Sequence, residues 1–496
     1  MNLDRNNKHE LVAEDVAIVD TSVIGRGATT TAEDATTAEN ATTVKSVVGA
    51  GGGSNEDATR AEIGVAGGGA EDTTAEDKGQ LYPLLLKSLL TGVLVALVVS
   101  LFRWGIPQVM GLVSRLLAWA RGNALYSLLF VGIFVLIGLL VSFCTKKEPM
   151  IGGSGIPQVS GILQDKLNLS WWKIFINKLL GGLLAIGSGL SLGREGPSVQ
   201  IGGALGQGVG ELSHSSKADT KMLLAGGAGA GMAVAFNAPI SGLFFTVEEL
   251  FHQTSHRKFM SLALTVLTAT SLSRLLIGSA ACMKVSPLHR FEPQVIPQLL
   301  GLGLVIGLSG VFFNKAIMWG KDFYDWLKVP VTCKHVLPFV VTAIFLLLDP
   351  SLLGSGENFI LTQTEASLGI GQALLIYTLK LFLLLVAFSS GIPGGIFFPL
   401  LALGSLIGQA YASALIAGGL LSADWLLTFA LLAMAGHFAA IVRAPLTGIF
   451  LILEMTGGAP SDLLPLIIVS YAAYFTSALC RSTPVYEALL NRMLTK

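Results

Sequence analysis

Polar and apolar positions divide this chain unevenly. Beyond about residue 80, long and nearly uncharged runs recur: LLTGVLVALVVSLF, LYSLLFVGIFVLIGLLVSF, IPQLLGLGLVIGLSGVFF, LLIYTLKLFLLLVAF and DLLPLIIVSYAAYFTSALC. Each approaches the roughly 20 residues that a helix needs to cross a hydrocarbon core of about 30 Å. With their shorter neighbours they predict an all-α polytopic membrane protein of about 10 to 14 spanning or part-spanning segments. Before residue 80 the pattern is polar and acidic, with TTAED at 30–34, TTAEN at 36–40 and TTAED at 73–77. No apolar period is sustained there, so residues 1–79 are expected to form a disordered tail. That tail lacks the basic start and short apolar core of a signal peptide.

Composition sharpens the membrane reading. Only 13% of the 496 residues are charged, about half the usual load of a soluble domain, and 52% are hydrophobic. Most of the 58 glycines lie inside the apolar segments. There they allow helices to approach closely, break and restart. The net charge is zero and no basic run points to nucleic acid. Cys144, Cys282, Cys333 and Cys480 have neither CxxC nor metal spacing and read as packing residues. Lys146 and Lys147 follow one span, His256-Arg257-Lys258 another, and the chain ends on Arg492 and Lys496. Excess positive charge marks cytoplasmic loops, so both termini are expected on the cytoplasmic side. No soluble C-terminal domain is expected.

An internal repeat organises the apolar region. FNAPISGLFFTVEEL (236–250) can be laid over VRAPLTGIFLILEMT (442–456). Ala238-Pro239 then meets Ala444-Pro445, Gly242 meets Gly448, Phe244 meets Phe450, and Glu248 meets Glu454. The halves are placed at about 80–285 and 290–490. Paired halves with broken helices point to a transporter whose substrate sits at their interface near the midplane.

Three short motifs supply the breaks. GGSGIP spans Gly152–Pro157, GREGP spans Gly193–Pro197, and GIPGGIFFP spans Gly391–Pro399. Each sets glycines and a proline at the start of an apolar helix, where proline's missing N–H is not needed. Free N–H groups and the positive dipole end face whatever lies ahead. Three such ends converging inside a membrane form an anion site without a buried full cation. Partial charges also suit release better than a fixed charge would.

GSGIP, GREGP, GIPGGIFFP, AFNAP-x-x-G and RAPLTGI-x-L-x-LEMT, in that order, resemble the CLC family of chloride channels and transporters over residues 80–495. The resemblance implies a homodimer, each subunit carrying its own pore between two inverted halves of discontinuous helices. Ser154 and Tyr486 would offer hydroxyls to a central chloride, together with the N–H groups of Ile396 and Phe397. Those around Arg194, Gly196 and Phe398 would line an outer site. Serine in GSGIP suggests chloride rather than nitrate.

Glu195 would mimic the anion when ionised and swing aside when protonated; a carboxylate inside a membrane is costly and by default functional. Arg194 would support the vestibule, its amide nearest the ion. Glu249 falls where the family's exchangers carry an inner proton-transfer glutamate, which favours chloride/proton antiport over a passive chloride channel of the same family. Glu248 reads as a charge at the cytoplasmic helix end. Two features depart from several bacterial relatives. QVSGIL after GSGIP lacks acidic residues, so Lys178 would lose a carboxylate partner and pair elsewhere, snorkel or be partly neutral.

Other classes fit less well. A sodium-coupled organic-solute carrier would need more polar ligands near the breaks. An intramembrane enzyme would need a paired nucleophile and base, yet His437 in MAGHFAA has no evident serine or aspartate partner and reads as a core histidine. His214, His252 and His256 read as loop residues. The expectation is a multi-pass protein of the cell's inner (plasma) membrane, in contact with lipid and not an enzyme. It would need no cofactor or metal and would bind chloride as substrate.

Overall fold

A computed structural model describes residues 75–251, 255–280, 282–283, 288–362 and 368–495. Nearly all of the acidic tail, and His252, lie outside them. Among the described residues the chain is all-helical. The first half contains α1 (Ala75–Ala120), α2 (Ala124–Lys147), α3 (Ile156–Leu163), α4 (Trp171–Gly187), α5 (Glu195–Leu212), α6 (Lys217–Phe236), α7 (Pro239–Phe245) and α8 (His256–Ile277). The second contains α9 (Ile296–Trp326), α10 (Val331–Leu348), α11 (Glu357–Thr362), α12 (Ile370–Ser389), α13 (Phe397–Ala417), α14 (Leu426–Val442), α15 (Pro445–Thr456), α16 (Leu463–Leu479) and α17 (Val485–Leu494).

Nine of the described helical stretches are long and apolar enough to cross a membrane. Their exposed faces carry large apolar side chains such as Leu86, Phe143, Leu275, Trp326 and Leu479, as a lipid-facing surface requires. The short or glycine-rich helices lie inside: α5, α6, α13 and α14 are buried along most of their length. Small residues make this possible. A methyl group added at Gly202 of α5 would lie 3.0 Å from the Gly227 carbonyl carbon of α6, so these two backbones touch directly.

The repeat read from sequence is visible as reciprocal contacts. The Glu454 carboxylate, on α15, accepts hydrogen bonds from Ile240 N–H (3.0 Å), Ser241 N–H (2.8 Å) and Ser241 Oγ (2.7 Å) at the start of α7. Glu248, just beyond α7, accepts from Leu446 N–H (3.1 Å), Thr447 N–H (2.8 Å) and Thr447 Oγ1 (2.7 Å) at the start of α15. Phe244 and Phe450 stack between them at 4.8 Å. Both helices start on proline and leave N–H groups unpaired, which a carboxylate from the partner half satisfies. The expectation that Glu248 is a plain helix-end charge is therefore corrected: it caps α15.

Two further expectations change. His256 is the first residue of α8 rather than part of a loop. His437 is a buried core histidine as read, with its Nδ1 2.7 Å from the Leu400 carbonyl, but a serine does face it: Ser309 Oγ lies 3.2 Å from Nε2.

Candidate functional site

The three glycine-proline breaks meet in space because their backbones are hydrogen-bonded to one another. Gly193 and Gly395 exchange both N–H···O bonds, at 2.7 and 2.8 Å. Gly153 N–H donates to Ile392 O and Gly394 N–H to Gly153 O, each at 3.0 Å. The third motif thus ties the other two together. From this knot α3, α5 and α13 run outward, their first turns facing inward. Glycine is required where they touch. A methyl group at Gly196 would lie 2.8 Å from the Ser154 carbonyl oxygen and 3.1 Å from its Cα. Gly155 has φ +97°, a conformation that side chains other than glycine's rarely adopt.

Ser154, Tyr486 and Glu195 point into this knot and are 2%, 1% and 1% exposed. The Tyr486 phenol lies beside the Ser154 hydroxyl and within electrostatic reach of both Glu195 and Glu249. Yet Ser154 Oγ, Tyr486 Oη and both Glu195 carboxylate oxygens make no well-formed hydrogen bond within the protein. Buried polar groups are nearly always paired. Four orphans around three helix N-termini form a site whose polar capacity is directed at something other than the protein.

The helices that carry these groups are firmly placed. Tyr486 sits on α17, whose leading loop is held by Asn314 Nδ2 to Thr483 O (3.0 Å) and Arg443 Nη2 to Ser482 O (2.9 Å). At its far end Arg492 pairs with Asp322 at 2.6 Å and with Asp325. The loop before α3 is held by Lys178. This fully buried ammonium donates to Ile151 O and Gly153 O, both at 2.7 Å. Lys178 therefore neither snorkels nor needs a carboxylate: it pairs with carbonyls.

Lys380 repeats the device in the other half, donating to Leu352 O (3.0 Å) and Gly354 O (2.6 Å). The run LLIYTLKLFLLLVAF, read from sequence as a plain span, thus contains a buried structural cation. The signal that could have found it is the pair Gly153-Ser154-Gly155 and Gly354-Ser355-Gly356, each followed by an apolar helix with a lysine in its interior, Lys178 and Lys380.

Arg194 faces Glu195 loosely, with Nε 3.8 Å from Oε1, and donates through Nη2 to Cys282 Sγ at 3.6 Å. Cys282 is thus a polar partner and not only packing. The Glu195 carboxylate leans toward the Phe398 amide, since both lie against Gly193. Ile396 and Phe397 sit at the N-terminus of α13, where N–H groups lack partners inside the helix.

Cavities approach this knot from different directions. A cavity of about 70 Å³ is bordered by Arg194, Glu195, Ser355, Glu357 and Phe398. Another, of about 220 Å³, reaches Ser154 past Lys321, Phe388 and Arg492. A third, of about 540 Å³, is bordered by Ser160, Gln164, Glu248, Glu249, Arg443 and Glu487. Glu248 and Glu249 stand on a π-helical turn, Thr246–Phe251, a backbone form that often marks function. Glu249 and Glu195 thus open onto different cavities, with Tyr486 within reach of both.

The family model described as voltage gated chloride channel matches residues 137–478, well over half of the chain. The chain belongs to the CLC family. Among relatives of this CLC protein, the H(+)/Cl(-) exchange transporter ClcA of Vibrio cholerae is 34% identical over 435 residues, covering 83% of this chain and 90% of the relative. A protein of the same name from Salmonella typhimurium is 33% identical over 426 residues, covering 83% and 89%. Among solved structures, a slow cyanobacterial Cl-/H+ antiporter superposes with a TM-score of 0.78 at 29% identity, covering 83% of this chain and 98% of that one. A CLC-type fluoride/proton antiporter shares the fold, with a TM-score of 0.69 at 24% identity. The CLC protein described here is accordingly an all-α integral membrane protein of two inverted repeats with discontinuous helices.

Proposed function

We propose that this CLC protein exchanges chloride for protons across a cell membrane. One observation carries the reading: three hydrogen-bonded helix N-termini surround the buried and unpaired hydroxyls of Ser154 and Tyr486 and the carboxylate of Glu195. The names of the relatives favour exchange over a passive channel.

Chloride would rest against Ser154, Tyr486 and the amides of Ile396 and Phe397. An outer ion would lie against the amides around Arg194, Gly196 and Phe398. Partial charges and hydroxyls hold an anion while leaving it free to depart. Glu195 closes the path on its side: ionised, its carboxylate occupies the position an anion would take; protonated, it loses its claim on the dipoles and yields. The same protonation carries a proton into the site, so the two fluxes are linked. Glu249, on the large cavity, would exchange that proton with the opposite side. Lys146, Lys147, Arg257, Lys258 and Arg492 border the Ser154 and Glu249 side, which the positive-inside rule makes cytoplasmic. Both termini would lie on that side of the inner (plasma) membrane, with two copies forming the working unit and no cofactor taking part.

Glu195→Gln tests the reading. In liposomes the variant should pass chloride with no accompanying proton movement, because glutamine can neither ionise nor carry a proton. Proton movement that stays locked to chloride in this variant would overturn the assignment.

A further inference from the structure

Exchange as proposed above uses one carboxylate on the Glu195 side, but the cavity there contains two. Glu357 opens α11 directly after the Gly354-Ser355-Gly356 loop and borders the same 70 Å³ cavity as Glu195. Their settings differ. Glu195 is 1% exposed and its carboxylate oxygens receive no hydrogen bond from the protein beyond the loose ion pair with Arg194, whereas Glu357 is only half-buried. The cavity between them is roomy enough for water.

Charged groups surround the two carboxylates. Arg194, Arg103 and Glu195 are within electrostatic reach of Glu357, as is the Cys282 thiol. Arg103 comes from α1, where its guanidinium donates to Val234 O at 3.1 Å. Lys380 of α12 lies under the loop, donating to Gly354 O and reaching within 3.5 Å of where a Gly356 side chain would begin. The two arginines stabilise a carboxylate at this depth, and the second carboxylate beside it gives a proton an acceptor to move to. A buried group such as Glu195 meets few protons from neutral solution. A half-buried carboxylate across a gap with room for water can collect them and pass them on.

We propose that Glu357 is the proton relay on the Glu195 side. It takes a proton from solution and hands it to the Glu195 carboxylate through water in the cavity, and the reverse path releases it. No bond other than O–H is made or broken. The proposal rests on the exchange reading, and the experiment separates the two.

Exchange is measured in liposomes as chloride-driven proton flux, with the Glu195-side pH varied from 5 to 8, for the parent, Glu357→Gln and Glu357→Asp. The glutamine variant should be slowed about tenfold at pH 7. That is less than the roughly 10²–10⁴ of a group taking the proton directly, because Glu195 keeps some exchange of its own with solvent. The deficit should close as the pH falls, and aspartate should restore most of the rate. In a Glu195→Gln background, where only chloride moves, Glu357→Gln should change nothing. Parent-like rate and pH profile in Glu357→Gln would overturn the relay. So would an equal change in chloride flux in the Glu195→Gln background, which would make Glu357 an electrostatic element of the anion path. A parent that moves no protons would overturn the exchange reading itself.

Discussion

Alanine at Glu454 removes the carboxylate that caps α7. That carboxylate accepts three hydrogen bonds, of 3.0, 2.8 and 2.7 Å, from two backbone N–H groups and a serine hydroxyl. Hydrogen bonds to a charged group contribute about 1.5–3 kcal/mol, and loss of a helix cap costs about 0.5–2 kcal/mol. The three share one carboxylate and are not additive, so Glu454→Ala should cost about 2–3 kcal/mol, a factor of about 30 to 150 in the folded-to-unfolded ratio. Glu248 has matching distances at α15, so Glu248→Ala should cost the same within about 1 kcal/mol. The glutamine variants keep one acceptor oxygen and lose the charge, and should fall about 1 kcal/mol below the parent. Reversible unfolding in mixed micelles, followed by tryptophan fluorescence and helicity, measures all four. If both alanine variants stayed within about 0.5 kcal/mol of the parent, the caps would be idle. If only Glu454→Ala were destabilised, Glu248 would be the simple end charge that its sequence position suggests.

Four other substitutions probe the knot and the loops beside it. Gly196→Ala places a methyl 2.8 Å from the Ser154 carbonyl, so overpacking should cost about 1–3 kcal/mol and weaken chloride binding in calorimetry; parent-like affinity would mean that the approach of α5 to Ser154 is not required. Tyr486→Phe removes one unpaired hydroxyl, and a loss of about 1 kcal/mol, roughly fivefold in chloride affinity, is expected by the same method. Lys178→Met leaves two buried carbonyls without their donor and should lower thermal stability and chloride affinity together, whereas Lys380→Met should lower stability while sparing the affinity, since its loop lies on the Glu195 side. Equal affinity losses in the two would show that the lysines do not act on separate loops.

Glycine and proline made much of this site legible. Proline within the first turns and glycine at the close approaches are local requirements, so GGSGIP, GREGP and GIPGGIFFP mark helix breaks in the sequence itself. Their meeting point was legible only through the repeat and the family resemblance, because the bonds between Gly193 and Gly395 join residues about 200 apart. Charges at helix ends were not legible. Glu248 looks the same in sequence whether it faces water or caps a helix from the other half, and only the fold distinguishes them. Lys380 escaped for a related reason: a single lysine in an apolar run resembles a snorkelling one until Gly354 is seen beneath it. No proline follows Gly354-Ser355-Gly356 as Pro157 follows the Ser154 loop, so the loop before Glu357 does not announce itself as its counterpart.

The most direct test of the central claim uses the unaltered protein in sealed liposomes, with a chloride gradient as the only driving force. Protons should move against their own gradient, reverse direction when the chloride gradient is reversed, and cease in Glu249→Gln while chloride still flows. Chloride that runs down its gradient with no proton movement in the unaltered protein would contradict exchange and leave a passive conductor built on the same three helix ends.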